Sequence, residues 1–507
     1  MKMRHLVFVA VIIAMAVSSV FGQNETVKPA TPHASPEARA LLQLIYNLSG
    51  KYTLTGQHNF PAAGDRNSVF AAGYEGKPPV IWSTDFGFAK EGDKDSYRKR
   101  WAMVEEAERQ TKMGSIITLC WHAVPPTAKE PVTFQPVPGA DPNALASVQG
   151  RLTDEQFKDI LTPGTALYKN WAAQVDTIAF YLKQLQKRRI AVLWRPYHEM
   201  NGNWFWWGNR AGQYSTEALY RQLFDRLVNY HKLTNLVWVW SIDRPTRVGM
   251  EFSNFYPGND YLDILALDVY GSDFKKEYYD GLLALSNGKP ITLAEVGSPP
   301  SPEVLESQPK WSYWVIWAGM VRNTPKKQHE ALMNDPRVLG RTDEAYVNAV
   351  NPLRAGLGLP ALSAHSPADF SGEWVLDENK SEVGNSGTGN LPARIKIEQG
   401  DAGLDLKKTF IEEWEDNRVT DEKIVFNGAE SKSEYYGFPR TSTAGLSANK
   451  DTLTINSKVT FNRGGQAGAF VTIENWNLQN YGNELCITQV ADSPQGKRKQ
   501  VLIYEKQ

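Results

Sequence analysis

The chain has few cysteines, little net charge and, after its first residues, no long apolar run. Two cysteines among 507 residues exclude a disulfide-based scaffold. The absence of CxxC pairs and His/Cys clusters predicts that no metal is bound. The 55 basic residues nearly balance the 56 acidic ones, so no strong field draws the chain to nucleic acid or an anionic membrane. Tryptophan, by contrast, is abundant, and 13 of the 16 lie between Trp82 and Trp317, which indicates a Trp-filled core or a groove that stacks flat ligands.

The N-terminus has the pattern of a secretory signal. A short basic stretch precedes twelve apolar residues at 6–17. This run is shorter than the roughly 20 residues that span a bilayer. Residues 1–22 are therefore predicted to be a cleaved signal peptide, which makes the mature protein secreted or periplasmic and free of the membrane. An uncleaved membrane anchor is the alternative. Residues 23–38 have no apolar period and are predicted to form a linker.

Residues 39–353 alternate between short β-branched runs and longer amphipathic stretches. The runs have near-continuous apolar character, which is typical of parallel strands buried on both faces. Eight strands alternating with helices predict a (β/α)8 barrel, an α/β fold. An open doubly wound sheet is less favoured, because no Gly-rich phosphate motif follows the first strand. The eight predicted strands are Tyr52–Gln57, Val80–Asp85, Ser115–Trp121, Ile190–Arg195, Leu236–Ser241, Ile264–Val269, Ile291–Glu295 and Tyr313–Ala318.

The pattern changes after residues 354–368, which are predicted to be a second linker. Residues 369–507 contain eight short alternating runs separated by Gly, Asn and Asp, and these predict a smaller all-β barrel or sandwich. The opening run Phe370–Asp377 and the late run Leu502–Lys506 loosely resemble lipocalin-like barrels. Polysaccharide binding is one hypothesis for this domain, with Trp374, Trp414 or Trp476 as platforms. A packing role for Trp374 is the alternative.

Two glutamates stand where a barrel of this kind carries its chemistry. Active sites of (β/α)8 barrels lie at the C-terminal ends of the strands. Glu199 follows the fourth predicted strand and Glu295 ends the seventh. Cleavage of a glycosidic bond needs one protonated and one ionised carboxyl on opposite sides of the sugar, so this pair suits sugar chemistry. Arg195 is interpreted as a partner of a carboxylate. Eight of the barrel-region tryptophans, Trp101 among them, are assigned to packing.

A distinctive motif surrounds the first glutamate, where residues 195–208 read RPYHEMNGNWFWWG. Five further segments occur in order along the chain: GKYTLTGQHN, WHAVPP, LDVY, LAEVG and MNDPRVL. Together these pieces resemble glycoside hydrolase family 26, the retaining β-mannanase family, over about residues 39–350. The resemblance implies that Glu199 is the acid/base and Glu295 the nucleophile of a double displacement. It implies substrate-binding roles for five residues, of which Tyr270 also holds the nucleophile: His122, His198, Trp204, Tyr270 and Trp317.

The implied activity is an endo-type β-1,4-mannanase acting on mannan, galactomannan or glucomannan. No cofactor is expected, and the protein is expected to be a monomer. Retention of configuration requires the two carboxyls to stand about 5–5.5 Å apart. Two alternatives stay open. The same mechanism could act on another β-glycan, such as β-1,3-xylan or mixed-linkage glucan. The chain could also be a non-catalytic glycan-binding protein that keeps the Trp rim but needs no Glu pair. Independently of this, His122 and His198 could be core histidines with satisfied hydrogen bonds.

Overall fold

The computed structural model describes residues 27–87, 96–141, 143–362, 368–384, 387–412, 416–447, 451–463, 466–479, 482–493 and 496–507. The predicted signal peptide lies outside these residues, as does Trp414. Over these ranges, no helix combines the length and the apolar composition that a bilayer crossing requires.

A closed parallel barrel forms the larger part of the molecule. The sheet that forms it has ten described strands. In chain order they are β1 (Thr53–Leu54), β2 (Gly56–His58), β3 (Ile81–Asp85), β4 (Ile116–Trp121), β5 (Val192–Pro196), β6 (Leu236–Asp243), β7 (Ile264–Val269), β8 (Ile291–Val296), β9 (Trp311–Ile316) and β10 (Val338–Leu339). Strands β2 to β9 are hydrogen-bonded in chain order, and β9 also pairs with β2, which closes the barrel. The short strands β1 and β10 extend the sheet beside β9. The predicted (β/α)8 barrel is therefore confirmed.

Helices connect these strands. In the described part of the chain they are α1 (Pro36–Leu48), α2 (Arg66–Glu75), α3 (Arg100–Lys112), α4 (Asp154–Ile160), α5 (Ala166–Lys187), α6 (Thr216–Phe224), α7 (Lys276–Leu285), α8 (Pro302–Ser307), α9 (Lys326–Met333) and α10 (Glu344–Gly356). Helix α6 continues as a π-helical turn, and hydroxyl caps such as Thr165 on α5 satisfy the first free N–H groups.

Most of the barrel-region tryptophans pack in the core between the strands and the helices. Seven of the eight assigned to packing are less than 3% exposed: Trp82, Trp171, Trp194, Trp238, Trp240, Trp311 and Trp314. The packing assignment of the eighth, Trp101, is wrong, because its side chain on α3 is 46% exposed and lies beside Phe180. Because a helix has both a buried and an exposed face, its sequence alone did not show which face Trp101 occupies.

The C-terminal domain is an antiparallel sheet of ten described strands. They are β11 (Gly372–Leu376), β12 (Arg394–Gly400), β13 (Gly403–Phe410), β14 (Arg418–Val425), β15 (Ser431–Tyr435), β16 (Phe438–Leu446), β17 (Thr452–Arg463), β18 (Gln466–Gln479), β19 (Glu484–Ser493) and β20 (Gly496–Lys506). The edge strands β14 and β15 lie side by side, since the Ser433 hydroxyl donates to Glu422 at 3.4 Å, so the sheet is a nearly closed barrel. Trp374 is fully buried and donates to the Phe370 carbonyl, which is the packing role considered above.

Candidate active site

The C-terminal ends of β5, β6, β7 and β8 bring their polar residues to one rim of the barrel. In the parallel register, Asp243 on β6 stands beside Asp268 on β7, and Asp268 stands beside Glu295 on β8. Glu199 follows the end of β5, and its pKa responds to the negative charges of all three carboxylates. The rim therefore gathers four acidic side chains that are each less than a tenth exposed.

Glu295 is held by two hydrogen-bond donors. One carboxylate oxygen accepts a hydrogen bond from the Arg195 guanidinium, and the other accepts one from the Tyr270 hydroxyl. Charge-assisted bonds of this kind stabilise the carboxylate form and fix its orientation. The pKa of Tyr270 is raised far above its usual range by burial and by the charge of Glu295, so the phenol stays a hydrogen-bond donor.

Arg195 links two carboxylates rather than one. Its guanidinium also contacts Asp268 at 2.9 Å, and the Ser241 hydroxyl donates to the same aspartate at 2.7 Å. Burial, followed by the neighbouring Glu295, raises the pKa of Asp268 above its usual range, although Arg195 opposes the shift. The arginine therefore positions Glu295 from within the barrel, as expected for a carboxylate partner.

Glu199 has the opposite environment. Its closest donor is the neutral indole N–H of Trp204, at 2.6 Å from Oε2. Burial, followed by the charges of Glu295 and Asp268, raises the pKa of Glu199 well above its usual range. The two glutamates therefore differ in their surroundings: burial and neighbouring charges favour the protonated acid at Glu199, whereas a guanidinium and a phenol donate to Glu295. Such a difference between neighbouring carboxyls is the arrangement that acid–base chemistry requires.

A strained loop presents Glu199. The backbone of Tyr197 and of Glu199 adopts positive φ angles of 47° and 50°, an uncommon conformation for residues with a side chain. Glycines permit the turn that follows. A Cβ on Gly202 would stand 2.3 Å from the Trp204 ring, and one on Gly208 would stand 2.1 Å from the Gly202 carbonyl oxygen. The glycines of the motif thus let the Trp204 ring lie close to the backbone and reach Glu199.

Three histidines line the neighbouring part of the rim. His122 is bonded through Nδ1 to Asp85, and this partner holds the pKa of Asp85 well below its usual range although burial alone would raise it. His198 stands next to His122, with ring centroids 4.3 Å apart, and neither of its buried ring nitrogens has a hydrogen-bond partner among the described residues. Burial lowers the pKa of His198 far below its usual range and that of His58 to about 3. His58 and His198 are therefore neutral groups.

The rim also carries tryptophan rings, of which two are half-buried and two are buried. Trp317, directly after β9, is half-buried and stacks on His58 with ring centroids 4.0 Å apart and planes inclined by 19°. Trp204 is half-buried as well, whereas Trp206 and Trp207 are buried and donate to backbone carbonyls. At this rim, Trp204 and Trp317 thus have surface available to a ligand, and their substrate-binding roles stay a prediction.

The same corner contains a group of potential metal ligands. Within the described ranges, Asp85, Cys120 and His122 place one ligand atom each within 4.8 Å of one another. These atoms already bond one another, because both the Cys120 thiol, at 3.0 Å, and His122 contact the same oxygen of Asp85. The group is explained as a hydrogen-bonded support for His122, and the absence of a bound metal stays a prediction.

Sequence reasoning did not identify several supporting residues. The Asn201 amide bonds the backbone of Asp243 in both directions and fixes the β6 end against the loop. Ser241 orients Asp268. Its position two residues before Asp243 was a usable signal, because alternate residues of a strand share a face. Asn201 lies within the 195–208 motif, but no role for it could be predicted from the sequence, because its partners are backbone atoms of distant segments.

Comparison with known proteins identifies the family. The model of Glycosyl hydrolase family 26 matches residues 30–343. The chain belongs to this family. A mannan endo-1,4-beta-mannosidase from Thermothelomyces thermophilus is 32% identical over 321 residues, covering 61% of this chain and 59% of that protein. A Bacillus subtilis protein of the same name is 32% identical over 221 residues, covering 40% and 59%. The chain thus spans about 59% of the length of these curated relatives.

A solved structure supports the same conclusion for the fold. GH26A from a Muricauda species is 38% identical, has a TM-score of 0.57, and covers 61% of this chain and 98% of its own. The family 26 resemblance of the barrel is therefore confirmed. The lipocalin-like resemblance of the C-terminal domain stays a prediction, beside the coarser finding of an antiparallel, barrel-like sheet.

Proposed function

We propose that this family 26 member is a retaining endo-β-1,4-mannanase acting on mannan, galactomannan or glucomannan. The observation that carries the proposal is the contrast between the two glutamates. Glu295 accepts hydrogen bonds from Arg195 and Tyr270, whereas burial and neighbouring carboxylates favour the protonated form of Glu199. The names of the relatives support the choice of mannan as substrate.

In the first step, a Glu295 oxygen attacks the anomeric carbon while Glu199 delivers its proton to the departing glycosidic oxygen. The C–O bond to the leaving sugar breaks, and an ester between Glu295 and the remaining sugar forms. In the second step, Glu199, now ionised, takes a proton from water as the water oxygen attacks the same carbon. The ester breaks, and the configuration of the sugar is retained.

The aromatic and histidine groups of the rim supply the proposed sugar contacts. The exposed parts of Trp204 and Trp317 offer flat apolar faces to sugar rings. His198 offers two unpaired ring nitrogens to sugar hydroxyls, and His122 is oriented toward the same space by Asp85. A buried polar group without a partner costs free energy, so a ligand that bonds His198 removes that cost.

The experiment compares Glu199→Ala and Glu295→Ala on galactomannan and on an aryl mannoside with an acidic phenol as leaving group. Each variant is expected to lose about 10²–10⁴-fold or more in kcat on galactomannan. The aryl substrate needs no protonation to depart, so Glu199→Ala should still form the covalent intermediate. It should show a burst of phenol followed by slow turnover, and azide should accelerate that slow turnover. Glu295→Ala should show no burst. Near-normal turnover by either variant would contradict the assignment.

The product and the substrate range separate the alternatives. Proton NMR should detect the β-anomer of the new reducing end first, as retention requires. Activity on β-1,3-xylan or mixed-linkage glucan without activity on mannan would place the same chemistry on another β-glycan. Binding of mannan without release of reducing ends would indicate a glycan-binding protein. The chain is further proposed to be exported as a monomer, which N-terminal sequencing and sedimentation of the extracellular protein would test.

A further inference from the structure

The C-terminal barrel contains a cavity that the proposed hydrolase chemistry does not use. This cavity, called the lumen below, has a volume of 280 Å³. Its inner end is formed by core side chains, including Trp476, Ile487 and Leu502, which are at most 3% exposed. Its outer end reaches Tyr435 and Tyr436, which are 39% and 45% exposed. The lumen is therefore a cup with an apolar floor and an aromatic rim.

Buried charges occupy the wall between floor and rim. Glu422 bonds Lys408 at 2.7 Å and Arg440 at 3.0 Å. Glu474 accepts from the Trp476 indole at 2.9 Å and lies 3.5 Å from Arg440. The four charged side chains are at most 12% exposed. Replacing such a network with apolar residues of similar volume is often neutral or stabilising, so stability alone does not account for it.

We propose that the lumen binds a short neutral saccharide, one or two hexose units long, end-on. The whole lining carries four cationic and four anionic side chains, so the lumen offers no net charge to an anionic ligand. The charged wall also opposes an apolar chain, which would cover those charges without adding a hydrogen bond to them. A hydroxyl-rich, uncharged ligand satisfies both conditions. Lys408 has three N–H donors, and the Glu422 contact uses one of them.

Size and shape limit the ligand further. Pockets for small ligands commonly measure about 300–1,000 Å³, and the lumen lies just below the small end of that range. Because the floor is closed, a sugar chain enters through the rim and stops there. The lumen therefore accepts a chain end or a free small saccharide, in contrast to an active site that cuts within a chain. This proposal does not depend on the activity proposed for the barrel.

The test uses the full-length protein with Glu199→Ala and Glu295→Ala, so that no sugar is consumed. Hydrogen–deuterium exchange is followed with millimolar β-1,4-mannobiose, cellobiose, decanoate or phosphate. A saccharide is expected to slow exchange in peptides from β14, β18 and β20. Thr420→Trp, which fills the lumen, is expected to weaken this protection by about tenfold or more. Val419→Trp places the same ring on the opposite, exposed face of β14 and should have no effect.

Three results would overturn the proposal. They are no protection by either saccharide, protection that survives Thr420→Trp in a folded protein, and protection by decanoate or phosphate in place of the sugars. Should Thr420→Trp fail to fold, Tyr435→Ala at the exposed rim provides the second variant, with a several-fold loss of saccharide affinity expected. Unchanged affinity in Tyr435→Ala would then count against the proposal. Because both barrel glutamates are absent, failure of the hydrolase assignment cannot produce any of these results.

Discussion

Replacing Arg195 with Met is expected to destabilise the barrel by an amount that the structure allows to be estimated. The guanidinium bonds Asp268 and Glu295, and the side chains of all three residues are at most 5% exposed. Removing one partner of a buried ion pair typically costs about 3–5 kcal/mol, because the remaining charge is left buried without compensation. Met keeps much of the apolar volume of the arginine side chain, so the lost stability reflects the missing charge rather than a new cavity.

The matched control is Arg109→Met. Arg109 also pairs with two carboxylates, Asp65 and Glu106, but its side chain is 47% exposed. Exposed ion pairs contribute about 0–1 kcal/mol, so the same substitution should be nearly neutral there. The double variant Arg195→Met/Asp268→Asn also removes one of the two carboxylates that lose their arginine partner. It should recover about 0.5–3 kcal/mol relative to Arg195→Met alone.

Urea unfolding followed by tryptophan fluorescence is the assay, because 13 of the 16 tryptophans lie in the barrel region and dominate the signal. The deficit should also depend on pH. Loss of Arg195 removes an influence that lowers the pKa of Asp268, so the folded-state pKa rises further above its unfolded value. The part of the penalty that comes from Asp268 is then absent below its wild-type folded pKa of about 8 and grows as pH rises above it. A cost no larger than that of Arg109→Met, at any pH, would refute this account of the network.

Three further variants test the rim. Gly202→Ala forces the Trp204 ring away from Glu199, because the new Cβ would stand 2.3 Å from it, and kcat/KM on mannan should fall by about tenfold or more. Tyr270→Phe removes a donor to a carboxylate, and a bond worth about 1.5–3 kcal/mol corresponds to a loss in kcat of about 10- to 100-fold. Asp243→Asn removes a negative charge that raises the pKa of Glu199, so the alkaline limb of the kcat/KM profile should move to lower pH.

Each of these variants has a counterpart away from the site. Gly356→Ala adds a methyl group where no atom lies within 4 Å, Tyr230→Phe alters a 67% exposed ring, and Asp280→Asn neutralises an exposed carboxylate on α7. These controls should leave the kinetics unchanged. If Asp243→Asn left the alkaline limb in place or moved it upward, the electrostatic account of Glu199 would be wrong. Normal kinetics in Gly202→Ala would indicate that Trp204 only packs. Normal kinetics in Tyr270→Phe would indicate the same for Tyr270.

The barrel was predictable because its signal is strong and local. Strands such as Ile264–Val269 are buried on both faces, so their sequences are continuously apolar, and the predicted and observed bounds of this strand agree. The C-terminal domain was harder. Strands β15 and β16 were not predicted, since Ser431–Tyr435 and Phe438–Leu446 carry polar residues on both faces. Their inward positions include Ser433 and Arg440, which line the lumen.

The candidate site divides in the same way. The positions of Glu199 and Glu295 at strand ends could be predicted from strand assignment alone. Their different surroundings could not, because these arise from groups that the fold brings together from distant segments. Arg195 and Glu295 are 100 residues apart, and Tyr270 and Glu295 are 25 apart. The requirement for glycine at position 202 could not be predicted either, because it comes from the Trp204 ring, which lies against Gly202 in the fold.

The pairing that closes the barrel has a consequence for how the chain folds. Gln57 on β2 pairs with Ile316 on β9, and its amide bonds the Ile316 carbonyl at 3.1 Å, 259 residues further along. Contacts between residues so far apart in the sequence form slowly. Until they form, the edge of β2 that faces β9 is unpaired and can associate with other chains. Truncated chains that end before residue 316 should therefore aggregate, and refolding should require dilute protein even though β2 to β9 form a closed ring in the native structure.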